Sequence, residues 1–293
     1  MRPGLARLGT SFGNGERDAR VFQRDEQAAA YARAKATVPS RARALIDDPD
    51  GLCGAVLPWL RERARLDGIA IEASGEPAST RARYRQLCDA IQEDLVLVRR
   101  TVDGRDRAVF VDVCFPSGWA PEAIVGASFA AIHAPVPGLL DDARRAAAMV
   151  EAMTQKGPFV RFVWTLSADD HLDHHPLRGL RRAFDPEAEL WLRVERQVTM
   201  PFPERDAALF AIRTYLYAVT ELEAGQRVTL EAAVAAMPEP IARYKRLASA
   251  RPLILQRLRA MRDGLQTASA SRKTSDESSL VQVKPGPGAP DAR

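Results

Sequence analysis

The segment ELWLRVERQV, residues 189–198, alternates apolar and polar side chains with the period of two that is typical of a β-strand. Successive side chains of a strand point to opposite faces. One face therefore carries Leu190, Leu192 and Val194, and the other carries Trp191, Arg193, Glu195 and Gln197. A strand face that collects an arginine, a carboxylate and an amide predicts either a candidate site or a row of surface ion pairs.

Further segments supply the partners that this strand needs. Asp103-Gly104 separates two apolar runs and supplies the positive φ angles of a tight hairpin. A returning segment follows Pro201 and Pro203 and predicts an antiparallel partner, in which Phe210, Ile212 and Thr214 face away from Arg213 and Tyr215. The predicted strands are residues 95–98, 108–113, 159–164, 189–198 and 209–216.

Helical spacing of apolar residues predicts several helices around these strands. They are residues 25–47, 80–91, 121–131, 141–155, 229–237 and 240–261, with an interruption at Pro252. Antiparallel strands with flanking helices predict an α+β fold with one domain, residues 21–265. Residues 1–20 and 266–293 lack periodicity and are rich in small and charged residues, so we expect both to be disordered.

The composition excludes several classes of protein. Of 293 residues, 42 are Lys or Arg and 38 are Asp or Glu, and the interspersed signs argue against nucleic-acid binding. No apolar run approaches the ~18–20 residues of a membrane span, and residues 1–14 lack a secretory signal, so we expect a cytoplasmic protein. The three cysteines are widely spaced, which predicts neither disulfides nor an iron–sulfur site.

One histidine stands in a constrained context. Pro121 suits the first turn of the predicted helix, and His133 follows at the exit of that helix. Pro135 and Pro137 predict an extended segment after it. A histidine fixed in this way suits a metal ligand, although it also suits a side chain that merely caps the helix.

Four strings in this order resemble the heme-binding (alpha) subunit family of the heme-dependent oxidative N-demethylases, proteins with a PAS-like fold. They are QEDL at 92–95, CFPSGW at 114–119, IHAPVP at 132–137, and LRVERQ at 192–197 followed by FAIRTY at 210–215. Two positions depart from the family pattern, because Val125 and Val163 stand where the family has a lysine and an asparagine.

The resemblance implies a fold, a cofactor and a reaction. It implies a PAS-like antiparallel sheet with heme b in a pocket, and oxygen-dependent oxidation of a small secondary amine to a primary amine and formaldehyde. It also implies electrons from NADPH through partner flavin and iron–sulfur subunits. The alternative is a heme-binding PAS-like sensor or binding module without catalysis, because one fold hosts many functions.

The resemblance also implies roles for individual residues. His133 is expected to be the axial ligand of the heme iron, with the Cys114 thiolate as the competing ligand. Glu195 is expected to orient a protonated amine and accept its proton, and the alternative is a sheet-surface salt bridge. Candidates for contacts with the heme propionates or ring, each with simple packing as the alternative, are Arg161, Arg193, Arg213, Trp119 and Tyr215.

A second cluster is independent of the resemblance. His171, His174 and His175 lie in the segment DDHLDHHP with three aspartates, and such a segment predicts either a divalent metal site or a solvated loop. No recognised metal-ligand spacing is present, so the two interpretations stay open.

Overall fold

The computed structural model describes residues 4–11, 18–71, 79–101, 103–139 and 143–262. The tail predicted at residues 266–293 lies outside them, as do parts of the amino-terminal stretch 1–20. Within that stretch, Ala6 and Arg7 form a short strand on the edge of the sheet.

The centre of the molecule is one antiparallel sheet of seven strands. Its spatial order is β1-β5-β6-β7-β3-β4-β2. With flanking helices, this confirms the α+β prediction, while the PAS-like topology remains a prediction. The strands are β1 (Ala6–Arg7), β2 (Leu45–Ile46), β3 (Asp94–Arg100), β4 (Asp106–Asp112), β5 (Phe159–Ser167), β6 (Trp191–Phe202) and β7 (Ala207–Ala218).

The helices lie in three groups along the chain. Three α-helices lie before β3, two α-helices join β4 to β5, and the other helices follow β7. They are α1 (Ala28–Ala36), α2 (Leu52–Leu66), α3 (Thr80–Ala90), α4 (Phe129–His133), α5 (Ala143–Gln155), α6 (Ala224–Ala235), α7 (Glu239–Tyr244) and a helix at residues 251–262.

Several local predictions differ from the structure. In place of one helix over residues 25–47, α1 ends at Ala36 and Leu45–Ile46 form β2. In place of a helix over residues 121–131, a short 3-10 helix at Pro121–Ala123 is followed by α4 from Phe129. The sequence pattern did not indicate α2, because Pro58 lies inside it, yet Asp48 accepts hydrogen bonds from the first two amides of this helix. Helix α6 begins at Ala224 rather than near Thr229, since Glu223 and Gln226 form a capping box there. The segment after His133 turns instead of extending, and the Val136 amide donates to the His133 carbonyl oxygen.

The strand register defines two faces of the sheet. Cross-strand partners share a face, and Gln197 pairs with Arg161 while Glu195 pairs with Thr214. We call the face that carries these four residues the front face. The opposite face, which we call the back face, carries Arg196, Arg213, Tyr215 and Trp164.

Different elements cover the two faces. On the back face, Leu95, Leu97 and Leu209 pack with buried residues of α2 and α3 in the largest apolar cluster. On the front face, Val96 and Phe210 pack against the chain between β4 and α5, through Trp119, Ile124, Val125 and Ile132. The polar residues of β6 lie at the border of this second cluster.

A buried ion pair links the chain before β2 to the end of β4. Arg43 donates from two nitrogens to both carboxylate oxygens of Asp112, and both side chains are almost fully buried. Asp112→Asn removes the buried carboxylate and leaves the guanidinium with the half-exposed Asp89, whose Oδ1 lies 3.0 Å from Arg43 Nη2. We therefore expect the free energy of unfolding to fall by about 3 kcal/mol, the lower end of the range for a broken buried pair. Urea denaturation measures this change. The exposed Asp103→Asn is the control, and equal stability of the two variants would refute the role of the pair.

Candidate functional site

A chain of hydrogen bonds crosses the front face between β5 and β6. The side-chain nitrogen Nε2 of Gln197 donates to Glu195 Oε2 at 2.9 Å. Arg161 Nε in turn donates to Gln197 Oε1 at 2.6 Å. Because each member is fixed by the next, the Glu195 carboxylate is held in place on a rigid sheet, with one of its oxygens left for other partners. Val163 lies opposite Glu195 in the register and adds an apolar neighbour.

Arg193 supplies a fixed positive charge beside this carboxylate. Its guanidinium is fully buried and donates to the carbonyl oxygens of Leu172 at 2.8 Å and Phe115 at 2.5 Å. Its Nε lies 3.9 Å from Glu195 Oε1. Burial lowers the pKa of Arg193, and the negative charge of Glu195 acts in the opposite direction. The backbone contacts hold this cation where it is whether or not a ligand is bound.

Three buried polar atoms of the front face lack a hydrogen-bond partner within the described residues. They are Arg193 Nε, Thr165 Oγ1 and Thr214 Oγ1. Thr165 lies opposite Arg193, and Thr214 lies opposite Glu195, so the three atoms belong to residues at neighbouring positions of the same face. Buried polar atoms are almost always satisfied in folded proteins. This part of the front face therefore fits a polar ligand or ordered water.

His133 has the geometry of a neutral metal ligand. Its Nδ1 lies 2.9 Å from the carbonyl oxygen of Phe129, and because a carbonyl can only accept, Nδ1 carries the hydrogen and Nε2 keeps its lone pair. The ring also stacks on that of Phe129 with centroids 4.0 Å apart. Burial lowers the pKa of His133, and the positive charge of Arg161 acts in the same direction. Backbone orientation of one nitrogen with the other free is typical of metal-binding histidines.

Two predicted contact residues lie on the back face, away from Glu195. Arg213 donates to Asp25 at 2.8 Å and its guanidinium lies 3.9 Å from the centre of the Tyr31 ring. The Tyr215 hydroxyl donates to the side chain of Gln23. The sheet therefore separates Arg213 and Tyr215 from the front-face residues Arg161, Arg193 and Glu195, and the five do not form one cluster.

Near Arg213 and Tyr215 lies Glu93, a carboxyl group whose pKa is near neutrality. Glu93 is buried and accepts from the Gln23 amide at 2.8 Å, while its second oxygen has no partner within the described chain. Burial raises the pKa of Glu93 to about 7, against the opposing effects of that hydrogen bond and the charge of Arg213.

This shift predicts a pH-dependent stability. The unfolded chain releases the Glu93 proton near its ordinary pKa, whereas the folded chain keeps it up to about pH 7. The free energy of unfolding should therefore fall as the pH rises from about 5 to about 8, by roughly 3 kcal/mol for this group. Glu93→Gln should remove much of this slope in urea titrations across the range. The exposed Glu189→Gln should keep the wild-type slope of stability against pH. A wild-type slope in Glu93→Gln would contradict the raised pKa of Glu93.

The remaining heme candidates from the sequence differ in their surroundings. Trp119 is half-buried and packs against the Val96 cluster on the front face. Cys114 is buried, its amide donates to Asp94, and burial raises the pKa of its thiol well above the ordinary value. A protonated, buried thiol does not favour a thiolate ligand.

The three-histidine segment forms structural contacts in the loop before β6. His174 Nε2 bonds Asp169 at 2.8 Å, and His175 Nε2 bonds Glu122 at 3.1 Å. Burial alone would raise the pKa of Asp169, but the hydrogen bonds from His174 and from backbone amides outweigh it and lower the pKa to about 2. Across the residues that the structure describes, no group of three or more His, Cys, Asp or Glu side chains is arranged to hold a metal ion.

Four residues of the site region were not indicated by the sequence. Lys245 donates from Nζ to the Trp164 carbonyl oxygen at the free edge of β5, and its charge lies 5.4 Å from the centre of the Trp164 ring. Tyr244 precedes it and is 47% exposed, and the partial burial of its hydroxyl followed by the charge of Glu195 raises the pKa of this group. Arg181 and Arg246 meet at Gly118. Their segments lie far apart in the sequence, so no local pattern marks them.

Comparison with known protein families gives one match. A family model described as "Haem-dependent oxidative N-demethylase, alpha subunit-like" matches residues 63–255, about two thirds of the chain. The match includes His133, both long strands and the polar front face. None of the helices in the described parts of the chain is long and apolar enough to cross a membrane.

Proposed function

Because the chain belongs to the haem-dependent oxidative N-demethylase, alpha subunit-like family, we propose that it is the heme-binding subunit of an oxidative N-demethylase. Its substrate in this proposal is a small secondary amine, which is oxidised to a primary amine and formaldehyde. The observation that carries the proposal is the matched segment itself, in which a neutral, oriented histidine and a fixed carboxylate both occur.

The residues of the front face fit heme b. His133, in the helix α4 that precedes α5, would hold the iron through its neutral Nε2, and Trp119 would contact the ring. The unpartnered buried atoms around Glu195 fit the polar small molecule that would lie beside the cofactor. Bound there, heme would supply the activation of oxygen at its iron. Arg161 and Arg193 would add positive charge next to the anionic cofactor.

Glu195 has the position and the chemistry to handle the amine. A secondary amine is protonated near neutral pH, and a carboxylate attracts an ammonium group through a charge-assisted hydrogen bond. The same carboxylate can accept the amine proton and release the nitrogen lone pair for oxidation. The side chain of Gln197 fixes Oε2 of the Glu195 carboxylate, and the Arg193 cation lies near the other oxygen, Oε1. Glu195 therefore binds, orients and deprotonates the amine in this proposal.

Electrons come from partner subunits in this proposal. The described cysteines Cys53, Cys88 and Cys114 are buried and free, and burial raises the pKa of each thiol. They are not arranged as the ligands of an iron–sulfur cluster, whose thiolates must lie together. The alpha-subunit description of the family implies other subunits. We propose that NADPH supplies the electrons through separate flavin and iron–sulfur subunits.

The test is formaldehyde release that depends on a secondary amine. The purified protein is loaded with heme and given oxygen, a panel of small secondary amines and a chemical reductant in excess, because each turnover consumes two electrons as one oxygen atom leaves as water. We expect formaldehyde and the matching primary amine in equal amounts, with none from the heme-free protein or from quaternary ammonium analogues, which have no lone pair. A normal heme spectrum without formaldehyde from any amine would contradict the enzyme and favour a heme-binding sensor.

A further inference from the structure

Two guanidinium groups from different parts of the chain meet above Gly118. A Cβ atom at this glycine would lie 3.2 Å from Arg181 Nη1, 3.2 Å from Arg246 Cζ and 3.4 Å from Arg246 Nη1. Arg246 also donates from Nη2 to the Gly118 carbonyl oxygen at 2.8 Å. The two cations are therefore neighbours, and the missing side chain of Gly118 leaves room for both.

No carboxylate of the described chain neutralises this pair. Within the described ranges, no Asp or Glu oxygen forms an ion pair with Arg181 or Arg246 within 4.0 Å. Asp169 is the acid whose charge acts on Arg181. Its carboxylate already accepts hydrogen bonds from the backbone amides of His171 and Arg182 and bonds His174 Nε2. Like charges at close range repel each other, and an anion bound between them relieves the repulsion.

The protonation behaviour of Arg181 agrees with this arrangement. Burial lowers the pKa of Arg181, and the positive charge of Arg246 lowers it further. Arg193 acts in the same direction and Asp169 acts against it. The charge of Arg193 is opposed by Glu195, Asp94 and Asp169, whereas Arg181 faces the charges of Arg246 and Arg193 and is opposed by Asp169. The excess positive charge therefore lies at the pair Arg181 and Arg246.

The arginine pair adjoins the front-face site. Gly118 lies three residues after Phe115, whose carbonyl oxygen accepts from the buried guanidinium of Arg193. Arg193 in turn lies 3.9 Å from Glu195. The backbone of Gly118 has φ +88°, a conformation that other residues rarely adopt, so the turn and the open space both require glycine. An anion held at this point would lie beside the polar residues of the front face.

We propose that Arg181 and Arg246, positioned over Gly118, form a binding site for a carboxylate group beside the polar residues of the front face. Guanidinium pairs recognise carboxylates through parallel, charge-assisted hydrogen bonds. Two ligands of the proposed function can supply the group: a propionate of heme, or the carboxylate of an N-methylated amino acid. The inference rests on the proposed function for its two sources, but the binding site itself is a property of these arginines.

The first experiment tests whether the propionates of heme, rather than its iron, depend on the arginine pair. Heme and heme dimethyl ester, which lacks the free carboxylates, are titrated into the wild type and into Arg181→Gln/Arg246→Gln, with the Soret band as the readout. If a propionate occupies the site, the double variant should bind heme about 10–100-fold more weakly and the ester with unchanged affinity, as expected for lost charged hydrogen bonds. Arg182→Gln/Arg243→Gln removes two nearby exposed charges and should bind both like the wild type.

The second experiment identifies the other source. N-methylglycine and dimethylamine differ by a carboxylate, and their binding is measured by the spectral change of the heme-loaded proteins. If the substrate supplies the carboxylate, the double variant should lose the preference for N-methylglycine and keep its affinity for heme. If the double variant binds heme, its ester and N-methylglycine like the wild type, the inference is wrong.

A probe without heme keeps the inference separate from the proposed function. Should the wild type take up no heme, the proposed function fails, and glutarate, a simple dicarboxylate, is then titrated against the protein alone with the melting temperature as the readout. We expect a rise in melting temperature for the wild type and the control variant, and none for the double variant. Gly118→Ala, which crowds both guanidinium groups, should also abolish the rise. Equal rises in all proteins, or none in the wild type, would overturn the inference.

Discussion

Glu195→Gln is expected to lower the turnover of amine oxidation by about 10²–10⁴-fold, the range typical of a lost general base. Glutamine keeps the size of the side chain, but it cannot accept the proton of the ammonium group or carry the charge that attracts it. The sheet register and the neighbouring Gln197 do not depend on the carboxylate charge, so the fold and heme uptake should be preserved.

The measurement is the steady-state rate of formaldehyde release for Glu195→Gln beside the exposed Glu204→Gln. The affinity for heme, measured by the Soret titration, should match that of the wild type in both variants. The rate of the Glu195→Gln variant should also gain from a higher pH, since more amine is then free of its proton before it binds. A rate within threefold of the wild type would mean that Glu195 is only part of a salt bridge on the sheet.

His133→Ala is expected to cause the largest loss of heme binding. Removal of a residue that only orients a metal ligand costs about 10–100-fold in metal affinity, so removal of the ligand itself should cost more. The Soret band of the variant should weaken and shift, because the iron loses the only bond that the protein is proposed to make to it. Added imidazole should restore part of the band by filling the space that the ring leaves.

The comparison that decides this prediction uses a second histidine. His171→Ala changes an exposed histidine outside the front face and should leave the spectrum as in the wild type. An unchanged Soret band in His133→Ala, without imidazole, would move the iron to another ligand. Cys114 is a poor substitute because burial favours its protonated thiol.

Strand periodicity predicted the front face well. The alternation in residues 189–198 placed Arg193, Glu195 and Gln197 together, and the structure has all three on one face of β6. The Asp103-Gly104 hairpin was also confirmed, with Gly104 at φ +78° between β3 and β4. These features depend on neighbours in the sequence, so local patterns are sufficient to predict them.

Local sequence patterns do not determine the register between strands. Alternation separates Arg213 from Thr214 within β7, but only the pairing with β6 decides which of the two lies beside Glu195. A shift of one residue would exchange the faces. The same limit applies to Arg181 and Arg246, which meet only because a loop and the end of α7 both reach Gly118. The turn after His133 differs from the prediction because its closing hydrogen bond outweighs the extended preference of the prolines.

The contacts of the amino-terminal segment with the back face have a consequence for how the chain folds. Asp25 bonds Arg213 across 188 positions, and Gln23 bonds Tyr215 across 192. Residues 23–25 leave the ribosome long before β7, so their polar side chains find these partners only after β7 has been synthesised. Such distant pairing slows folding and leaves early segments exposed during synthesis. We expect this protein to refold slowly, with the docking of residues 23–25 on β7 as a late step.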